Sequence, residues 1–188
     1  VSGVLTSGVV NAGDTLLLGP DSLGQFVPTA VRSIQRKRVP VESASAGQSV
    51  SFALKRIRRN QVRKGMLLLA RTAQAPVAHQ EFEAEVLCLY HSTTLSLGSC
   101  IVLHAASIRQ TVRIVAIAKM DTHAARPTAA LRHATDDTKP VVRMGDRARV
   151  RLQFLAQPEY IRPGTKLIAR EGKTRLVGVV RDVGDGMQ

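Results

Sequence analysis

At 188 residues the chain is comfortable for two small domains and can bury a core without metal or disulfide staples. An apolar content of 44% excludes global disorder, while 3% aromatics and no Trp leave the core to Val, Leu, Ile and Ala. Lys and Arg total 27 against 14 Asp and Glu, and the net charge of +13 points to a polyanionic partner: nucleic acid first, with an acidic membrane surface or protein as rivals.

No apolar run approaches the length of a membrane-spanning helix, and the first ten residues lack the charged start and long apolar stretch of a signal peptide. Cys88 and Cys100 each lie in an apolar segment and do not make the disulfide framework of a secreted domain. The expected setting is reduced and cytoplasmic, with no membrane partner. Because the chain begins without Met, it reads as a fragment.

In chain order, strands are predicted at 1–6, 15–18, 25–36, 49–54, 66–69, 82–90, 100–104, 107–120, 147–154, 166–170 and 174–183. The alternation is clearest where Arg147, Arg149, Arg151 and Gln153 interleave with Ala148, Val150, Leu152 and Phe154. A period of two sends the first set to water and the second to a core. Turn signals separate the strands at Ala12-Gly13-Asp14, Gly19-Pro20-Asp21, Ala46-Gly47, Met144-Gly145-Asp146, Arg162-Pro163-Gly164 and Glu171-Gly172-Lys173. Only 59–62 reads as a helical turn. Residues 73–79 have no periodicity and read as a linker, and 121–140 as a polar, Ala-rich surface insertion. The expected fold is all-β: two antiparallel β-barrels, at 1–72 and 80–188.

Two basic clusters are the strongest chemical signal. Arg36, Lys37 and Arg38 are consecutive, and Lys55, Arg56, Arg58, Arg59, Arg63 and Lys64 crowd a second stretch. Both fall near strand ends, where side chains reach solvent and can contact phosphates with little sequence specificity. The bland alternative is a solvated face. Aromatics do not interleave with these cations, which argues against a stacking platform for single strands.

Other chemistry is weakly supported. Gly172-Lys173-Thr174 has the end of a phosphate-binding loop, but Leu167 stands where the upstream Gly is needed. Asp21-Ser22-Leu23-Gly24 matches a GTPase switch by letters yet falls in a turn. Cys88, His91, Cys100 and His104 have zinc-ligand chemistry, but a core thiol and a hairpin histidine account for them equally well. No Ser stands in a Gly-x-Ser-x-Gly elbow. This chain is therefore expected to be no enzyme and to hold no cofactor or metal.

The ordered string of motifs resembles a known family. Val1-Ser2-Gly3-Val4-Leu5, Ala12-Gly13-Asp14, Val31-Arg32-Ser33-Ile34, Ala46-Gly47-Gln48 and Val62-Arg63-Lys64-Gly65 are similar to the second barrel of elongation factor Tu and its relatives. Phe82-Glu83-Ala84-Glu85-Val86, Met144-Gly145-Asp146, Arg170-Glu171-Gly172 and Gly178-Val179-Val180 resemble the third barrel. Details such as Ser107-Ile108-Arg109-Gln110-Thr111 and Pro158-Glu159-Tyr160 resemble the eukaryotic GTP-binding protein 1 and 2 group of elongation-factor-like GTPases.

The resemblance implies the C-terminal barrels of a translational GTPase. GTP and Mg would lie in a missing N-terminal domain, and the first strand of barrel one would be absent. It implies transfer RNA, the ribosome and the chain's own upstream GTP-binding domain as partners. Carried over by position, Gln35 and Arg38, beside Arg36 and Lys37, would meet the transfer RNA 3′ end, and Lys64 its 5′ phosphate. Thr111, Arg170, Glu171 and Gly172 would face the T stem. Gln35 stands where the family has an acidic residue, and Gln157 where some members have a lysine. The alternative from another class is a protein-interaction scaffold that recruits RNA-decay factors.

Overall fold

A computed structural model describes residues 1–72, 74–90, 95–120 and 141–184. The insertion at 121–140 and His91 lie outside the described residues. The chain divides into two compact units, one of residues 1–21 with 25–76, the other of 22–24 with 77–188. Both are all-β. Among the described residues the single helical element is a 3₁₀ turn, Arg59–Gln61, and no helix is long and apolar enough to cross a membrane.

The first unit carries β1 (Ser2–Val4), β2 (Val9–Asn11), β3 (Thr15–Gly19), β4 (Val27–Arg36), β5 (Val39–Val41), β6 (Ser43–Ser45), β7 (Ser49–Leu54) and β8 (Leu67–Ala70). Its main sheet runs β1-β7-β4-β3-β8, with β5 added to β4, and all pairings are antiparallel. The predicted strand at 1–6 shortens to Ser2–Val4, and the three-residue strands β2, β5 and β6 are too short for alternation to reveal. β2 and β6 form a separate ribbon. Val10 and Ala44 from that ribbon join Leu16, Val31, Ile34, Val50 and Phe52 in one core. The ribbon thus covers the sheet's apolar face. Among the described residues the ladder itself stays open, with β1 paired only to β7 and β8 only to β3.

The second unit is a closed barrel of β9 (Glu81–Tyr90), β10 (Cys100–Ala105), β11 (Ile108–Lys119), β12 (Arg147–Phe154), β13 (Lys166–Glu171) and β14 (Thr174–Asp182). The order around it is β10-β11-β12-β9-β14-β13, and closure leaves no free edge. Alternate residues of every strand point inward: Phe82, Ala84 and Val86 from β9, and Ala148, Val150, Leu152 and Phe154 from β12, are all buried. Each fully buried Leu, Val, Ile or Phe side chain contributes about 1.5–3 kcal/mol, so this interior is the main source of the unit's stability. Phe82 and Phe154 meet with ring centroids 5.1 Å apart. β14 passes so close to β9 that a Cβ on Gly178 would lie 2.3 Å from the Glu85 carbonyl oxygen and 2.9 Å from Val86 Cγ1. Only glycine fits there.

A buried polar knot fixes the segment after β12. The side-chain oxygen of Gln110 accepts from the main-chain N–H of Ala156 at 2.8 Å and of Gln157 at 3.1 Å. Its Nε2 donates to the Gln157 carbonyl at 3.1 Å and to Glu159 Oε1 at 3.0 Å. His79 and Glu159 exchange main-chain hydrogen bonds of 2.9 and 3.1 Å. Residues Ala78 and His79 therefore pack as part of this unit.

Candidate nucleic-acid interface

The first basic cluster sits on a hairpin. β4 and β5 pair through Arg36 with Val39 and Gln35 with Pro40, which leaves Lys37-Arg38 as a two-residue turn. A two-residue turn with both central residues at positive φ is the type I′ form, normally built from Asn-Gly. Here φ is 51° at Lys37 and 68° at Arg38. Holding a bulky residue in that left-handed region costs about 1 kcal/mol or more. Strain is thus retained at a tip that projects three exposed cations, Arg36, Lys37 and Arg38. Gln35, also exposed, stands at the base of the turn opposite Ser51 of β7.

Lys64 lies elsewhere. β7 runs away from the tip, from Ser51 opposite Gln35 to Leu54 opposite Val31. The basic loop then starts at Lys55, whose N–H bonds the Ala30 carbonyl at 2.9 Å. By Arg63 it has reached Pro20, just past the β3 end that pairs with Val27. The ten residues of β4 therefore separate the tip from Lys64, about 30 Å of extended strand. The sequence-predicted residues of this unit form two groups.

The second unit does bring its predicted residues together. Thr111 of β11 and Arg170 of β13 both lie opposite Val102 of β10, on either side of it. Arg170 is in turn opposite Arg175 of β14. These four positions form one row on the outer face, since their neighbours Leu103, Gln110, Val112, Ala169 and Leu176 are buried. A parallel row places Arg109 opposite His104 and His104 opposite Ile168, and Arg113 stands opposite Cys100. Glu171 is exposed one residue beyond Arg170, and the β13–β14 turn is Gly172-Lys173 with φ 52° at the glycine. A first central residue at positive φ is where a hairpin turn favours glycine. Gly172 therefore has a turn role here whatever else it contacts.

On the opposite flank, carboxylates of β9 are paired. Arg151 pairs with Glu83 at 2.7 Å, Arg181 with Glu85 at 2.7 Å, and Gln153 donates to Glu81 at 3.0 Å. Such exposed pairs add little stability. Their effect is on the field: the carboxylates of β9 are spent against β12 and β14. Arg109, Arg113, Arg170 and Arg175 make no ion pair among the described residues. Arginines without an ion pair among the described residues therefore stand on β11, β13 and β14, and Arg147 and Arg149 of β12 are likewise without one.

The weighed zinc constellation does not assemble. Cys88 is buried inside the barrel, whereas Cys100 and His104 face outward on β10. Burial and the nearby Asp146 carboxylate push the Cys88 thiol above its ordinary value. Asp21 closes a turn by accepting from the Gln25 N–H at 2.8 Å, the structural role its letters left open.

Residues 1–69 match the family model for elongation factor Tu domain 2. Over almost its whole length the chain is 40% identical to GTP-binding protein 1 of Xenopus laevis, a match of 180 residues that covers 96% of the chain and 24% of that protein. It is 37% identical over 183 residues to GTP-binding protein 2 of Mus musculus, covering 97% of the chain and 27% of that protein. Elongation factor 1-alpha of Staphylothermus marinus is 28% identical over 189 residues, covering 96% of the chain and 40% of that protein. The chain thus spans about a quarter of the length of the GTP-binding proteins it matches.

The closed barrel carries cations that sequence reasoning had not assembled. Arg109, Arg113 and Arg175 were not singled out. The signal for the first two was present, because Arg109, Thr111 and Arg113 alternate on one strand. Arg175 becomes a neighbour only through the β13–β14 register.

Proposed function

We propose that this chain is the RNA-gripping part of an elongation-factor-like GTP-binding protein, engaging transfer RNA on the ribosome. In this assignment residues 1–72 and 80–188 are the second and third barrels, 73–79 joins them with Ala78 and His79 already packed on the third, and 121–140 is an insertion. GTP and Mg belong to a part of the longer protein outside these 188 residues. The observation that carries the reading is the group of outward arginines on one face of the closed barrel. Glu83 and Glu85 of β9 are held in ion pairs, and Arg109, Arg113, Arg170 and Arg175 on the β11, β13 and β14 face make none among the described residues.

Thr111 and Arg170, assigned to the RNA surface, share one row with Arg175. Arginine there supplies planar donors for phosphate oxygens, and the Glu171 carboxylate can accept from a 2′-hydroxyl, which DNA lacks. Gln35, Arg36, Lys37 and Arg38 at the hairpin tip, and Lys64 on the distant loop, are assigned separate contacts. Cationic contacts of this kind release counterions, and each phosphate neutralised adds about 0.9 to the slope of log affinity against log salt.

The test is transfer RNA binding by filter retention over a salt series, with R170Q/R175Q beside the unaltered chain. The expected result is a slope smaller by up to about 2, with thermal stability within about 0.5 kcal/mol. Absence of salt-dependent binding by the unaltered chain, or an unchanged slope in the variant, defeats the assignment. Preference for aminoacylated over uncharged transfer RNA distinguishes a translation factor from a general RNA binder.

A further inference from the structure

Resting on the reading above that the chain binds structured RNA, we propose that the loop between β7 and β8 is a second, independent grip on an RNA phosphate backbone. The residues concerned are Lys55, Arg56, Arg58 and Arg59, beyond the single Lys64 contact. All four are exposed. Residues 55–65 contain no carboxylate, and none of the four makes an ion pair among the described residues.

The loop is a built platform. Its entrance is fixed where the Lys55 N–H bonds the Ala30 carbonyl at 2.9 Å and the Thr29 hydroxyl donates to the Lys55 carbonyl at 2.9 Å. Arg56 is held at φ 60°, a left-handed backbone that disfavours its side chain. The Arg58 N–H donates to Gln61 Oε1 at 2.8 Å, and the Gln61 N–H returns to the Arg58 carbonyl at 3.0 Å, which sets the 3₁₀ turn. Like charges are thereby kept close together on an ordered backbone, where mutual repulsion has to be offset by an outside anion.

The structure also divides the cluster. Arg63 turns back to donate to the Pro20 carbonyl at 3.0 Å and the Lys64 carbonyl at 3.3 Å, a strut for the loop. The remaining cations stay outward.

The chemistry of the partner follows from what the loop lacks. It has no aromatic residue to stack on bases and no carboxylate to read them. Its apolar residues, Ile57 and Val62, are half-buried, so it has no wedge for a lipid surface. Phosphates of a polynucleotide need neither. Lys55, beside Ala30, lies six residues along β4 from Arg36 at the hairpin, about 20 Å of strand. The two cationic sites therefore touch different phosphates.

The experiment measures a transfer RNA transcript binding over a salt series for four forms of the chain: unaltered, R56N/R58Q/R59Q, K37N/R38G, and both sets combined. Asn tolerates the positive φ at 56, and thermal unfolding with hydrodynamic size checks that each form is folded. The expected result is a loop-variant slope lower by about 2 to 3, with effects of loop and hairpin that add. An unchanged slope in the loop variant while the hairpin variant weakens binding overturns this proposal and leaves the RNA reading standing. No salt-dependent binding by the unaltered chain defeats both. Vesicles rich in phosphatidylserine form the last arm: if the loop variant loses vesicle binding but keeps RNA binding, the loop is a lipid contact and the proposal is wrong.

Discussion

Replacing Lys37-Arg38 by Asn-Gly should make the chain more stable and a poorer RNA binder at once. Both residues occupy positive φ, 51° and 68°, at a strain of about 1 kcal/mol each. Asn and Gly are the residues a type I′ turn favours, so about 2 kcal/mol of strain is relieved. The added freedom of glycine in the unfolded chain returns about 0.5–1 kcal/mol of this. The net gain is about 1 kcal/mol, or roughly 5 °C in the midpoint of a unit of about 70 residues. Calorimetry reads this directly. The same change removes two cations from the tip. If each neutralises one phosphate, the salt slope falls by about 1.8 and affinity near 0.15 M salt drops roughly thirtyfold. A stability gain paired with an affinity loss is the signature of strain retained for binding. A variant less stable than the parent would refute the turn geometry, and one with unchanged RNA affinity would refute the tip as a contact.

Gly178→Ala places a Cβ 2.3 Å from the Glu85 carbonyl oxygen and should cost about 3 kcal/mol in urea unfolding, since a main-chain atom has to move. A loss under 1 kcal/mol would mean that β14 and β9 do not approach so closely. Gln110→Ala removes the acceptor of the Ala156 and Gln157 N–H groups and the donor to Glu159. It should cost about 2 kcal/mol and speed hydrogen exchange of the Ala156 amide. Burial holds His79 below the ordinary histidine value, against weaker opposing effects of the Val183 main chain and Asp182. The unfolded chain therefore takes up this proton first as pH falls. Stability is unaffected by the group above its unfolded pKa of about 6.5 and declines as pH drops from there toward the folded value. His79→Gln should flatten that decline, measured as the difference in urea midpoint between pH 7.5 and pH 5.5.

Strand positions along β9 and β12 were legible because alternation is a property of consecutive residues: Phe82, Ala84, Ala148 and Val150 are inward as their spacing requires. Turn residues such as Gly145 and Gly172 were legible for the same local reason. The Lys37-Arg38 turn was not, since neither residue carries a turn preference and the geometry is imposed by pairing of the flanking strands. The three-residue strands β2, β5 and β6 escaped because alternation needs more residues to register. Among the cations, composition showed an excess but ranked all of them alike.

Local chemistry therefore settled that this chain is β-structured, basic and divided in two, because side-chain polarity and turn preference act within a few residues. Which arginines stand together is a matter of pairing between distant segments. The Gly172-Lys173 turn sets Arg170 beside Arg175, closure brings Arg170 across Val102 from Thr111, and ion pairs neutralise Arg151 and Arg181. In the first unit, a hydrogen bond to the Pro20 carbonyl turns Arg63 inward while Lys64 stays exposed. Hydrogen-bond register between strands far apart in the chain fixes those neighbours, and no short window of residues contains that information.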